Sequence, residues 1–327
     1  MKKIIVLIIS ITLMLTGCMQ NPNGPQVFED LSQVRIGILQ FAQHPALDQA
    51  YQGFVDTITK AGVLEDNIDY QNASGEPSNS QTIAEKFVNN GTHLIYAIAT
   101  DALQAAANKT MITPIIGSAV TNFETTGVVD SHEKPNTNVS GASDLNPVKE
   151  QIALLHKLAP EAKNIAIMYT SDEANSIYQS KLALEACKEL QLNGSSVTVP
   201  NDSSMIKQVT ESLIGKYDAV YVPTDNLLSS NISIITQVLN DHGIPSVGGE
   251  KAMCEQGALA SLSIDYYNIG VTAAHQALDI LQGKQKIEDM PVAFVSAKDC
   301  EYVINTEVAK QLHLKIPNDL KMTKIGE

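Results

Sequence analysis

The sequence predicts an α/β protein in which two doubly wound lobes, each built on a parallel sheet, share a hinge and enclose a cleft. Short apolar segments alternate with longer segments of helical periodicity, which is the pattern of a parallel sheet covered on both faces. The alternation stops between residues 124 and 145, a stretch rich in Gly, Asn, Ser, Thr and Asp, and then starts again. The tail after residue 266 holds too few elements for a third domain, so we expect it to complete the first two.

In the first run, short apolar segments predict strands and amphipathic segments predict helices. The second helix begins at a Ser cap and stops before Gly91. The predicted strands are 34–40, 68–73, 93–99 and 114–120. The predicted helices are 46–61, 78–90 and 101–109.

The second run repeats the pattern, and its first helix has Pro147 in the first turn, where proline is favoured. Its predicted strands are 165–169, 196–199, 219–223, 245–248 and 259–264. Its predicted helices are 147–158, 174–190, 203–214 and 229–242. The tail predicts a helix at 267–282 closed by Gly283, strands at 292–295 and 302–305, and a last helix at 306–312.

Composition excludes several classes of protein. Hydrophobic residues make up 44% of the 327-residue chain, which is enough for a packed core. The formal net charge is −14 and Arg35 is the only arginine, whereas nucleic-acid binding requires clustered basic residues. Cys187, Cys254 and Cys300 show no metal-ligand spacing. Outside the cytosol their odd number leaves at least one free thiol, and Cys187 lies in an apolar helix as a small core residue.

The N-terminus has the form of a lipoprotein export signal. Lys2 and Lys3 precede an apolar stretch of 12 residues, which is too short to span a bilayer and ends at Leu15-Thr16-Gly17-Cys18. This tetrapeptide resembles the bacterial lipobox, in which the cysteine is diacylated and becomes the new N-terminus. We therefore predict a signal and lipobox at 1–18 and a flexible tether at 19–33. The alternative is an ordinary signal peptide with an incidental cysteine.

The ends of the predicted strands carry polar and aromatic residues, and several of these residues open a helix. Ligands of open parallel sheets bind beyond the carboxyl ends of the strands, so two facing lobes would place these residues around one cleft. Thr224 and the segment Gly248-Gly249-Glu250 also stand at strand ends. The candidate ligand-binding residues are Gln40, Phe41, His44, Leu47, Asp48, Thr100, Ser118, Val120, Thr121, Ser171, Glu173, Asn175, Ser176, Asp225, Asn226, Asp265 and Tyr266.

The chemistry of these residues suits an aromatic α-amino acid. Helix N-termini favour a carboxylate, Asp225 suits an ammonium group, and Phe41 and Tyr266 suit a flat apolar side chain. The alternative is that the Ser, Thr and Asp residues are ordinary helix caps, that Asp48 only complements a helix dipole, and that His44 is an exposed loop residue.

Catalytic and cofactor motifs are not found. The sequence lacks a nucleophile elbow, a phosphate loop, a dinucleotide fingerprint and a zinc-binding His-Glu-x-x-His, and its seven histidines show no metal-ligand spacing. We therefore expect a binding protein without cofactor or metal.

Three segments carry a family resemblance: Ile36 to Asp48 (IGILQFAQHPALD), Tyr169 to Ser176 (YTSDEANS) and Ser263 to Gly270 (SIDYYNIG). Over residues 34–320 the chain resembles the substrate-binding lipoproteins of ABC importers, and more narrowly the group associated with tryptophan and tyrosine uptake. The resemblance implies a type I periplasmic-binding fold with three crossings between the lobes and no catalysis. It places 34–142 plus 266–291 in lobe 1 and 143–265 plus 292–327 in lobe 2.

The implied function is capture of a small molecule, such as tyrosine or tryptophan, by closure of hinges near 141–145, 264–267 and 290–293. A monomeric, lipid-anchored protein would deliver this ligand to a membrane permease, while ATP hydrolysis would take place on other subunits. Two alternatives are a surface adhesion or sensing lipoprotein with the same fold and a secreted hydrolase.

Overall fold

A computed structural model describes residues 26–317 and 319–326, so the predicted signal, Cys18 and residues 19–25 of the predicted tether lie outside the described residues. The rest of the predicted tether is packed on the first lobe, because Phe28 donates its N–H to the carbonyl of Leu281 (2.8 Å) and Leu31 is buried. The first lobe is built on a five-stranded, wholly parallel sheet with the strand order β2-β1-β3-β4-β5. Its strands are β1 (Ile36–Gln40), β2 (Ile68–Asn72), β3 (Leu94–Ile98), β4 (Ile115–Val120) and β5 (Val139–Ser143). Its helices are α1 (Pro45–Lys60), α2 (Pro77–Asn89), α3 (Thr100–Ala107), α4 (Phe123–Thr126) and α11 (Tyr266–Leu281).

The second lobe is built on a seven-stranded sheet with the order β12-β11-β10-β9-β8-β6-β7, parallel except where β11 pairs antiparallel with β10. Its strands are β6 (Asn164–Thr170), β7 (Asn193–Val199), β8 (Ala219–Val222), β9 (Ser246–Gly248), β10 (Ala260–Ser263), β11 (Glu301–Asn305) and β12 (Thr323–Ile325). Its helices are α5 (Val148–Leu158), α6 (Ala174–Glu189), α7 (Ile206–Glu211), α8 (Asn226–Ser230), α9 (Ile232–Asp241), α10 (Lys251–Glu255) and α12 (Thr306–Gln311).

The two lobes have separate hydrophobic cores. In the first, α1 buries Ala46, Ala50, Phe54 and Ile58, which are spaced four residues apart and therefore lie on one face of the helix. Phe54 stacks on the buried ring of Tyr96, with ring centroids 3.7 Å apart. In the second lobe, apolar clusters cover both faces of the sheet. The predicted fold class, two doubly wound α/β lobes, is confirmed.

Several predicted elements differ from the structure. The stretch 124–145, which we interpreted as a break, contains α4 and the fully buried strand β5. The predicted strand 292–295 is only an isolated bridge between Ala293 and Ala142. The predicted helix 229–242 is divided into α8 and α9, and the prediction missed α10 and β12.

Three chain segments cross between the lobes and lie side by side. The first leads from β5 to α5, the second from β10 to α11, and the third follows Met290. Asn146 in the first accepts a hydrogen bond from the backbone N–H of Ile264 in the second (3.0 Å), and Ser143 donates its N–H to Ala293 in the third (2.8 Å). Because the three crossing segments lie together, the lobes can open about them as a hinge. The lobe boundaries themselves stay a prediction.

Two further features concern thiols and membranes. Cys187, Cys254 and Cys300 are free thiols, and Cys187 is buried as predicted. Within residues 26–317 and 319–326, no helix has the length and apolar character required to cross a membrane.

Candidate functional site: an acidic cavity between the lobes

A small inner cavity of about 20 Å³ lies between the lobes at the carboxyl ends of their strands. A larger outer chamber of about 560 Å³ lies beside it, and Asn226 lines both. The first lobe and the crossings supply residues at or after the ends of β1, β4, β5 and β10, and the second lobe supplies residues after β6, β8 and β9. The inner cavity is lined by His44, Leu47, Ala119, Thr121, Asp144, Asn175, Thr224, Asp225, Asn226, Ser229, Glu250 and Tyr266.

The inner cavity contains two incompletely bonded carboxylates, those of Asp144 and Glu250. Asp144 accepts one hydrogen bond from the Thr121 hydroxyl (3.1 Å) and one from the Tyr266 hydroxyl (2.8 Å). Glu250 accepts one, from the N–H of Ala252 (2.9 Å), through which it caps α10. Burial raises the pKa of Asp144, and it raises the pKa of Glu250 to about 7. Within the described residues neither carboxylate has a salt-bridge partner, so a positively charged ligand group would offset the cost of their burial.

Asp225 and Glu173 form a second, better bonded pair of buried carboxylates. Asp225 accepts hydrogen bonds from the N–H of Thr170 (2.7 Å), the Thr170 hydroxyl (2.8 Å) and the N–H of Leu228 (2.9 Å), and it caps α8. Glu173 accepts from the N–H groups of Asn226 (2.9 Å) and Leu227 (3.0 Å) and from the Asn226 amide. Burial raises both pKa values, and with repulsion from Asp225 it raises that of Glu173 to about 8.

Two neutral side chains of the inner cavity each have one polar atom without a hydrogen-bond partner within the described residues. His44 and Asn175 are each 7% exposed, and among the described residues neither His44 Nδ1 nor Asn175 Oδ1 has a partner. Burial lowers the pKa of His44 to about 4, so the ring is neutral at physiological pH. In the described part of the chain, the cavity lining contains no lysine or arginine. The cavity is thus acidic and provides polar atoms for a ligand.

Direct contacts join the lobes across the cleft, so the structure is in a closed conformation. His44 Nε2 lies 3.4 Å from Asn226 Oδ1, and the Gln179 amide lies 3.4 Å from the Thr121 hydroxyl. The Ser230 hydroxyl donates to the backbone carbonyl of Gln43 (3.3 Å). These contacts are few and long, which is consistent with an interface that opens.

The structure brings nine of the predicted ligand-binding residues to the two cavities. Seven line the inner cavity: His44, Leu47, Thr121, Asn175, Asp225, Asn226 and Tyr266. Phe41 and Glu173 line the outer chamber, together with Asn226. His44, which had an alternative interpretation as an exposed loop residue, is buried.

The other eight predicted residues lie outside both linings. Gln40 donates to Asp48 (2.7 Å) and fixes the loop between β1 and α1. Ser118 bonds to the Tyr96 hydroxyl (2.5 Å), because its position on β4 directs it into the core. Asp265 is an exposed cap of α11, as the alternative proposed. The remaining residues are Thr100, Val120, Ser171 and Ser176.

Sequence reasoning missed five residues of the inner cavity: Ala119, Asp144, Thr224, Ser229 and Glu250. Thr224 and Glu250 were recognised at strand ends but not selected. Asp144 was missed because it follows β5, which lies in the stretch interpreted as a break. Ala119 adopts a positive φ of 52° at an irregularity in β4, and nothing in the sequence indicates this conformation.

Metal binding finds no support at this site. Within the described ranges, no group of three or more His, Cys, Asp or Glu side chains has a metal-binding arrangement.

Comparisons with known proteins are consistent with a binding site. The profile of the family described as ABC transporter substrate binding protein matches residues 35–324. A tyrosine-binding protein of Clostridioides difficile is 38% identical, over 96% of this chain and 93% of its own length.

Two solved structures are similar in sequence and fold. An ABC domain from Streptococcus pneumoniae in complex with L-Trp has a TM-score of 0.83 at 33% identity, covering 87% of this chain and 96% of its own. A ligand-free, open substrate-binding protein with adhesive properties from Clostridium difficile has a TM-score of 0.69 at 36% identity. The match covers 89% of this chain and 99% of that protein. The described conformation therefore resembles the ligand-bound relative more than the open one.

Proposed function

The chain belongs to the ABC transporter substrate-binding proteins, and we propose that its ligand is an aromatic amino acid, tyrosine or tryptophan. Members of this family bind a substrate for transport, which agrees with the expected absence of catalysis. Support for the ligand class comes from the tyrosine-binding and Trp-bound relatives and from the shape and charge of the two cavities.

The incompletely bonded carboxylates carry this proposal. Each oxygen of Asp144 accepts one hydrogen bond, and Glu250 accepts one in total, so both have lone pairs left for a ligand. An ammonium group supplies three donors and a positive charge in a volume small enough for the inner cavity. Asp225, the expected partner of the ammonium, is better bonded, so we assign the main role to Asp144 and Glu250 and a supporting role to Asp225.

The aromatic ring fits the outer chamber. The chamber volume of about 560 Å³ lies in the range of about 300–1,000 Å³ typical of small-molecule sites. Phe41 and Leu227 provide apolar contact, and Asn72, Asn201 and Ser203 provide partners for a phenol or an indole N–H.

The N-terminus of α1 suits the ligand carboxylate. No side chain caps this 16-residue helix, and Leu47 in its first turn lines the inner cavity. The backbone N–H groups of Ala46 and Leu47 belong to the first turn, where a helix has no internal acceptors. Free N–H groups and the helix dipole together favour an anion at this place.

Closure of the lobes would retain the ligand. The ligand joins groups of both lobes and so stabilises the closed state by its differential affinity for that state. The three adjacent crossings serve as the hinge. The closed protein then docks on a membrane permease as a monomer, outside the cytoplasm, while Cys18 and the short segment 19–25 keep it near the membrane.

Identification of the bound ligand tests this proposal. We expect mass spectrometry of the material released from purified, denatured protein to find tyrosine or tryptophan. Release of an unrelated molecule, together with no calorimetric response to either amino acid, would exclude the proposed ligand class.

Adhesion is a second candidate function, and the relative with adhesive properties is the observation that favours it. Adhesion would act through the exterior of the same fold. Cell attachment that persists in a variant unable to bind ligand would support it, and absence of attachment in the unaltered protein would exclude it.

A further inference from the structure

Exposed apolar side chains concentrate at the edge of the first lobe that lies opposite the cleft. Met111 is 89% exposed and Ile112 is 62% exposed, side by side in the loop between α3 and β4. Leu64 and Val27 are each 52% exposed. In the described part of the chain, these four make up half of the eight exposed large hydrophobic residues.

The topology places all four residues at this edge. The strands of the first sheet are parallel, so they all begin at the edge away from the cleft. Leu64 lies shortly before β2, and Met111 and Ile112 lie shortly before β4. Val27 packs beside Gly283, which follows the end of α11. The ring of the next residue, Phe28, lies against the ring of His93 just before β3, with ring centroids 4.7 Å apart.

The Met111–Ile112 loop is held in a fixed shape. The Thr110 hydroxyl accepts hydrogen bonds from the N–H groups of Ile112 (3.1 Å) and Thr113 (3.0 Å). The Asn138 amide donates to the carbonyls of Thr110 (3.1 Å) and Thr113 (2.8 Å). These four hydrogen bonds hold a turn that exposes two adjacent apolar side chains to solvent, and exposed apolar side chains mark a contact surface where they form a contiguous patch.

We propose that this edge rests on the lipid bilayer, with Met111 and Ile112 inserted at the boundary between headgroups and acyl chains. The proposal depends on the proposed lipid anchor at Cys18. Only residues 19–25 separate Cys18 from the described chain, and an extended segment of that length spans at most about 25 Å. Since the described chain begins beside Val27, the anchor would hold this edge close to the membrane surface.

The charges at this edge favour apolar insertion over electrostatic attraction. Lys109 pairs with Glu85 (2.9 Å), Lys134 with Asp289 (3.7 Å) and Lys284 with Asp279 (3.5 Å), whereas Arg35 and Lys60 make no salt bridge within the described residues. The acidic residues Glu29, Asp30, Glu65 and Asp66 also lie at this edge, which therefore offers no net positive charge to anionic lipids. Contact with the bilayer should therefore be insensitive to salt. It would also direct the cleft, at the opposite edge, toward arriving ligand, so the closed protein has to leave this position on the bilayer before it docks on the permease.

A single tryptophan tests the proposal, because the chain contains none. Full-length lipidated M111W is bound to vesicles of phosphatidylglycerol and phosphatidylethanolamine. We expect the emission to shift to shorter wavelength and to be quenched by lipids brominated in their acyl chains, at low and high salt. The matched control is I234W on α9 of the second lobe, where Ile234 is 39% exposed and the emission should remain unshifted.

Three results would overturn the proposal. One is unshifted and unquenched emission from vesicle-bound M111W. Another is a shift without vesicles that grows with protein concentration, which would indicate a second copy of the chain at this edge. The third is the absence of an acyl group on Cys18 by mass spectrometry. Calorimetry of M111W with tyrosine and tryptophan tests the proposed function separately, since its failure leaves the insertion result intact.

Discussion

At the scale of single residues, the site is defined by buried carboxylates that lack a counter-charge. The sequence placed Asp225 at a strand end, but it could not show how many donors the folded chain directs at each carboxylate. Asp225 receives three short hydrogen bonds and Glu250 receives one. The number of free lone pairs on a carboxylate depends on tertiary structure. The strand-end pattern therefore predicted where the site lies, but it did not identify Glu250 as the carboxylate with the fewest hydrogen bonds.

Replacement of Glu250 by glutamine should weaken ligand binding. A hydrogen bond to a charged group contributes about 1.5–3 kcal/mol, so calorimetry of E250Q should show a loss of about 10- to 100-fold in affinity. E255Q is the matched control, because Glu255 is exposed on the same helix. Equal affinity of E250Q and E255Q would remove Glu250 from the site.

The stability of the ligand-free protein should fall as the pH rises from about 6.5 to 8. The folded-state pKa values of Glu250, about 7, and Glu173, about 8, lie above the ordinary glutamate value of 4.5 because both side chains are buried. In this window the folded protein therefore binds more protons than the unfolded chain, and stability decreases with pH.

Burial lowers the pKa of His44 to about 4, so this residue makes stability rise with pH, mostly below pH 6.5. A Glu250 variant retains this contribution of His44. Urea unfolding of the wild type and E250Q at pH 6.5 and 8 checks this expectation. The decrease in the free energy of unfolding from pH 6.5 to pH 8 should be smaller in E250Q than in the wild type. An equal decrease in both proteins would contradict the raised pKa of Glu250.

At the scale of secondary-structure elements, periodicity predicted most strands and helices because their buried faces are apolar. It failed for β5, whose sequence VSGAS is typical of a turn. This strand can be buried because tertiary contacts satisfy its hydroxyls: Ser140 donates to the carbonyl of Met290 (2.8 Å) and Ser143 to that of Thr121 (2.9 Å). Polar residues with such partners have no signal in a hydrophobicity pattern.

The close contact between α1 and α11 depends on Gly53 of α1 and Gly270 of α11, and neither position should tolerate a methyl group. A Cβ atom on Gly270 would lie 2.0 Å from the carbonyl oxygen of Ala50. We expect Gly270→Ala to lower the free energy of unfolding by about 1–3 kcal/mol or more, since the helix backbones must separate. Urea denaturation measures this, with His275→Ala at an exposed position of α11 as the control. Equal stability of the two variants would show that the helices separate without cost.

At the scale of the whole molecule, the two-lobe architecture was predictable and the closed state was not. Repetition of βα units determines the lobes, whereas closure depends on a few contacts such as that between His44 and Asn226. Small-angle X-ray scattering should therefore show a smaller radius of gyration with tyrosine or tryptophan than without ligand. An unchanged radius on saturation would contradict closure by the ligand.

The central claim is that an acidic cavity recognises the ammonium group of an aromatic amino acid. Calorimetric comparison of tyrosine with N-acetyltyrosine, which lacks that charge, tests it most directly. We predict that tyrosine binds and that acetylation weakens binding by about 100-fold or more, because Asp144 and Glu250 would remain buried without a cation. Equal affinity for the two compounds, or no binding of tyrosine and tryptophan at high micromolar concentration, would contradict the account.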